Sequence, residues 1–215
     1  MTGVILQPIE FVKNAPKINE ETLRYFDDAG IAVILLDYDS AAFPERSKYD
    51  IVGIDNFAAG YTIAQHLLKT GSKRIAFLHR PYAAPTITNR MRGVAAAVIE
   101  AGIEWSLADN VLKAEPQNSS AISRFIKRTS PDAFIAGNDI AAVKLSETLR
   151  RISNRPKIRL AGFDDVNAAE KAGILTVRQP LDDIALVALN TLIARIRQPG
   201  MPIKTTQLAA ALVIR

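Results

Sequence analysis

Residues 51–71 read IVGIDNFAAGYTIAQHLLKTG, and this stretch decides the fold. The run IVGI, 51–54, is short, apolar and sized for a strand. Two polar residues follow, Asp55 and Asn56. Residues 57–70 then predict a helix, because Ile63, Leu67 and Leu68 fall on one face. Gly71 stands where a helix ends in left-handed backbone. A strand, a polar tip, a helix and a glycine stop make one βα unit.

The same unit repeats on both sides. Upstream, Val4–Leu6 reads as a strand, and Asn19 is predicted to cap a helix through Ala29, with Gly30 as its stop. AVILLD, 32–37, has no polar residue before Asp37, as a parallel strand covered on both faces requires. Residues 38–50 read as a loop. Downstream come the strand RIAFLH (74–79), a helix over 87–101 ending at Gly102, and the strand NVLKA (110–114). SSAISRFIKR (119–128) is helical, DAFIAG (132–137) is a strand, and 139–151 is a helix. KIRLAGF (157–163), a short helix over 167–172, and ILTVRQ (174–179) follow. Pro180 opens a long helix, 181–198, with Asp182 and Asp183 in its first turn and Arg195 and Arg197 in its last, matching the helix dipole. PGMP (199–202) breaks it, and TQLAAALVIR (206–215) reads as one closing β segment. Strict alternation of this kind implies an α/β fold of doubly wound, open parallel sheets.

Composition narrows the class. The 215 residues are 48% hydrophobic and 23% charged, enough for a sizeable core. There is no cysteine, which removes disulfides and thiolate metal sites and fits a reducing cytoplasm. Two histidines, His66 and His79, cannot build a histidine cage, so no metal and no cofactor is expected. The net charge of +5 is scattered apart from RRISNRPKIR (150–159), which reads as solvated surface rather than a nucleic-acid groove. MTGVILQPIE carries no leader pattern, and no run is long enough for a membrane span. Met1 and Thr2 run straight into a core strand, so the chain is expected to be a fragment.

In open parallel sheets, ligands sit outside the carboxyl ends of the strands. Here those ends carry Gln7, Asp37, Asp55, Asn56, Asn138, Asp139, Asp164, Asp165 and Gln179. Carboxylates and amides gathered on one edge, without metal-ligand spacing, suit a ligand rich in hydroxyls. No phosphate loop, dinucleotide fingerprint or nucleophile elbow is present, so an enzyme is not expected.

The segments TGVILQP, GIDNFAAGYTIAQHLLKTGSKRIAFL, NRMRGVAAAVIEAGI, PDAFIAGNDIAAV, RLAGFDDVNAA and LTVRQPLDDIALVALNTLIARI resemble the effector-binding core of LacI-type transcriptional regulators. That family shares the type I periplasmic-binding-protein fold. The resemblance implies two α/β lobes joined by crossovers near 54–56, 178–180 and 200–203. It places 1–54 with 179–200 in the first lobe, and 55–178 with 201–215 in the second. The first lobe would be incomplete, because the helix-turn-helix headpiece, hinge helix and first two βα units have no counterpart here.

The resemblance also implies a sugar-like effector in the cleft between the lobes and a homodimer, with operator DNA bound only through the absent headpiece. Arg90 would fork onto ligand hydroxyls, and Asn138 and Asp164 would each take one. Gln179 would lie at the cleft floor, while Gln7 and Asp37 face the ligand from the first lobe. Phe163 and Tyr82 would form a flat apolar wall. Arg92 reads as solvated, Asp165 and Asp139 as structural, His66 as packed, and Trp105 as a half-buried anchor. His79 and Arg80 would favour an acidic or phosphorylated effector. The alternative reading is a sugar-binding protein of an uptake transporter.

Overall fold

The computed structural model describes residues 3–152 and 158–215. Thr2, Lys157 and the middle of the basic run at 150–159 lie outside them. The chain divides into two compact units, Met1–Asp55 with Pro180–Ala209, and Asn56–Gln179 with Ala210–Arg215.

The first unit is built on a four-stranded parallel sheet. Its strands are β1 (Gly3–Leu6), β2 (Ala32–Leu36), β3 (Asp50–Ile54) and β9 (Thr205–Leu208), in that order. Successive residues of these strands face opposite ways, so each strand feeds two layers. Val33, Leu35 and Ile51 join Leu23 of α1 (Ala15–Asp28) and Tyr49 in one core. Helix α8 (Leu181–Arg197) lies on the sheet through Ile184, Ala188 and Leu192, spaced one turn apart. It lies so close that a Cβ on Gly3 would stand 2.7 Å from Leu192 Cδ1.

Helix α1 begins four residues before its expected cap. Asn19 is not a cap but a buried side chain inside the helix. It accepts from Ile9 N at 2.7 Å and donates to Ile9 O at 3.1 Å, fixing the loop after β1. Arg195, expected only to match the helix dipole, forks onto the buried Asp50 at 2.9 and 3.1 Å. It also donates to the carbonyls of Pro199, Met201 and Pro202, so it shapes the turn after α8.

The second unit has a four-stranded parallel sheet of β5 (Val111–Lys113), β4 (Ile75–His79), β6 (Ala133–Ala136) and β7 (Arg159–Ala161), in that order. β8 (Thr176–Arg178) pairs with β10 (Ala211–Val213) antiparallel, the one departure from the parallel plan among the described strands. Phe125 of α5 (Ser119–Thr129), Phe134 and Leu145 of α6 (Asp139–Arg151) pack in the main core. Helices α2 (Asn56–Lys69) and α3 (Pro85–Glu100) press together through two glycines. A Cβ on Gly60 would stand 2.0 Å from Arg90 O, and one on Gly93 2.0 Å from Phe57 O. Two short helices complete the unit, α4 (Leu107–Asn110), which the sequence reading did not expect, and α7 (Asn167–Lys171).

The closing segment differs from expectation. It forms two strands rather than one, and residues 201–209 belong to the first unit, not the second. β9 takes the free edge of β3, with Ile51 opposite Thr205, before Ala209 and Ala210 carry the chain on to β10. The unpaired backbone groups of β3 explain this, since a strand edge left open in a core sheet lacks hydrogen-bond partners.

Candidate functional site

In the second unit the carboxyl ends of the strands gather a compact polar group around Arg90. This side chain rises from α3 and is 6% exposed. Its Nε donates to Asn56 Oδ1 and its Nη1 to Gly137 O, each at 2.8 Å. Nη2 lies 3.6 Å from Asp164 Oδ1, and the guanidinium carbon sits 4.6 Å from the centre of the Phe163 ring. A guanidinium held at two of its edges and stacked on a ring keeps a fixed plane. Asp164 is a third exposed at its side chain and accepts from Gln179 Nε2 at 2.7 Å. Its φ of 108° is a conformation few residues other than glycine adopt, so the surrounding structure holds it there.

Asn138 caps α6, its Oδ1 accepting from Ala141 N at 2.9 Å. It directly follows Gly137, the residue that Arg90 grips. The neighbouring aspartates behave differently. Asp139 is fully buried and accepts from Thr176 Oγ1 at 2.8 Å and Val166 N at 3.1 Å. Burial pushes its carboxyl up to about 6, against those two hydrogen bonds, and the charge of Asp164 adds to the rise. Burial works the same way on Asp165. Ion pairs with Arg178, at 2.5 Å, and with Arg215 outweigh it and hold that carboxyl below its ordinary range. Asp165 thus ties the loop after β7 to β8 and to the end of the chain.

The structure therefore brings Arg90, Asp164 and Gln179 together, with Asn138 one residue from their carbonyl anchor. One expected ligand contact is used inside the group instead. Phe163 is fully buried beneath the Arg90 guanidinium, so its ring is not free to form a ligand wall. Tyr82 is 52% exposed in the turn before α3, at φ 56°. Nor does Arg80 stand as a free anion receptor, since its Nε pairs with Glu115 at 3.0 Å. Asn56 was read only as a polar strand tip. Its role in holding Arg90 depends on α2 and α3 meeting closely, for which the glycines at 60 and 93 were the available sign.

The first unit carries a second polar pair. Gln7 Nε2 donates to Asp37 Oδ2 at 2.9 Å, just past the ends of β1 and β2. Asp37 has φ 68°, and its backbone lies close against Gly53, where a Cβ would stand 2.9 Å from Asp37 Cα. Tyr38 donates to Ile9 O at 3.1 Å, and burial, with Glu10 second, pushes its hydroxyl up to about 12. Among the described residues no cluster of histidine, aspartate and glutamate suits a metal ion, and no helix is long and apolar enough to cross a membrane.

Three passages of the chain between two doubly wound units, with polar strand tips in each, are the plan of periplasmic-binding-protein-like α/β proteins. Residues 64–215 match the periplasmic binding protein-like domain, and the chain belongs to that family. It is similar to the ribose operon repressor of Bacillus subtilis, 27% identical over 84% of this chain and 55% of the relative. It is also similar to the HTH-type transcriptional regulator DegA of the same species, 29% identical over 72% of this chain and 46% of the relative. The chain spans about half the length of the curated relatives it matches. Among solved structures, the transcriptional regulator CelR–cellobiose complex superposes with a TM-score of 0.80 at 23% identity, over 99% of this chain and 64% of that one. A LacI family transcriptional regulator from Enterococcus faecium with bound ribose gives 0.73 at 21% identity, over 98% and 77%.

Proposed function

We propose that this chain is the effector-sensing core of a LacI-type transcriptional regulator, and that its effector is a sugar or sugar-like molecule. The observation that carries the reading is the Arg90 group. A buried guanidinium, already held by Asn56 and Gly137, is aimed at a partly exposed Asp164 that Gln179 also steadies. Donors and acceptors fixed in advance lose little freedom on binding, which is what recognition of vicinal hydroxyls needs. Asn138, next to the Gly137 carbonyl that Arg90 holds, is assigned as a further contact.

The relatives favour a regulator over a transport protein. They include ribose operon repressors, and solved structures of similar fold hold ribose and cellobiose. An effector would act by binding one conformation of the protein better than another, and only by that difference. Operator DNA binding would fall to a helix-turn-helix headpiece, with the protein working as a cytoplasmic homodimer.

The test is a thermal-shift and calorimetric screen of the chain against pentoses, hexoses and sugar acids. A ligand at one hundred times its dissociation constant adds about 2.7 kcal/mol of stability. Asp164→Ala should remove that gain while leaving the unliganded chain folded. Full affinity in the variant refutes the assignment.

A further inference from the structure

The second unit has a cavity of about 500 Å³ away from the Arg90 group. Its lining residues come from the amino ends of the strands, Lys73 to Ala76 entering β4, Asn110 preceding β5 and Pro131 preceding β6. The Arg90 group follows the carboxyl ends of the same sheet. The volume falls in the range of small-molecule sites, roughly 300–1,000 Å³.

The walls are firmly built. Asn110 donates to Ile75 O at 3.0 Å and accepts from Ser106 N at 2.9 Å. Arg128 pairs with Asp109 at 2.6 Å, which neutralises that carboxylate, and its other arm donates to Ala108 O. The backbone nitrogens of Lys73 and Arg74 are both held by the Asp132 carboxylate. Ile75, Ile103 and Pro131 supply apolar surface, and Trp105, half-buried, supplies a large aromatic face with one N–H donor. The rim carries a net positive charge. Among the described residues Lys73 makes no ion pair, and the Arg74 side chain donates only through its Nε, to Ser130 O at 2.5 Å. Glu104, also exposed in the lining, offsets one of these two charges.

We propose that this cavity binds a small planar molecule bearing one anionic group, a carboxylate or a phosphate. The ring lies against Trp105, and the anion meets Lys73 and Arg74. The site is separate from the proposed effector contacts and does not depend on them.

Trp105 is the single tryptophan of the chain, so its emission reports this cavity directly. The chain is titrated with benzoate and with phenyl phosphate, which separate the two anions. Benzamide supplies the ring without charge, and acetate and inorganic phosphate supply the charge without a ring. A saturable change with benzoate or phenyl phosphate is expected, weaker by about tenfold for benzamide and for benzoate with Lys73→Ala, as loss of one charge-assisted contact implies. Asp164→Ala should leave the titration unchanged, which separates this site from the effector reading. Linear quenching equal to that of free N-acetyltryptophanamide overturns the proposal. So does saturation that Lys73→Ala does not alter, or equal binding of benzamide, acetate or inorganic phosphate.

Discussion

Asp139 should make the second unit less stable as the pH rises from about 4 to about 6. The carboxylate is fully buried at the start of α6 and meets Thr176 Oγ1 and Val166 N. Those contacts do not repay the water it loses, so its folded value rises from 3.8 to about 6. A carboxyl that holds its proton more tightly when folded favours the folded state wherever that proton is bound. Below the unfolded value both states are protonated and this contribution is fully present. Above the folded value both are ionised and it is lost. Each tenfold change in proton affinity is worth about 1.4 kcal/mol, so the whole loss is about 3 kcal/mol.

Asp139→Asn isolates the effect. The amide keeps the size of the side chain, can accept from Val166 N and, with that bond reversed in direction, can donate to Thr176 Oγ1. Urea unfolding of both chains, followed by Trp105 emission, gives the difference in stability at each pH. The variant should gain on the parent by about 2.4 kcal/mol between pH 4 and pH 7, the rest of the full effect falling below pH 4. Asp39 and Asp165, both held below the ordinary carboxylate range, weaken the fold as pH falls. They are common to the two chains and cancel in the difference. A difference that stays constant within about 0.5 kcal/mol, the usual limit of additivity, refutes the reasoning.

Two further changes test the packing that holds the polar groups in place. Gly60→Ala would put a methyl carbon 2.0 Å from Arg90 O. The two helices must part, so a loss of about 3 kcal/mol or more is expected in thermal unfolding, with weakened effector binding through the displaced Arg90. In the first unit, Asp50→Ala leaves Arg195 without its buried partner. This should cost about 3–5 kcal/mol in urea unfolding, and Asp50→Leu combined with Arg195→Leu should recover part of it.

What the sequence disclosed, and what it withheld, follows from the range of the forces involved. Strands such as 32–36 and helices such as α2 and α8 were legible because apolar period, proline and glycine act within a few residues. Polar residues at strand ends were legible for the same reason, and the direction of a parallel sheet puts them on one edge. Asn19 misled because an asparagine can serve a helix end or a distant loop, and only the position of Ile9 decides between them. The closing segment misled because no turn residue separates β9 from β10 in TTQLAAALV (205–213), while their partners, β3 and β8, lie more than twenty residues back in the chain. Phe163 and Arg90 show the limit most clearly. Each was read as offering a face to a ligand, yet the ring is spent in supporting the guanidinium. Residue type indicates which groups can meet a hydroxyl. Which of them stays exposed to do so depends on how the others pack beneath it, and that is fixed only when α2, α3 and β7 come together.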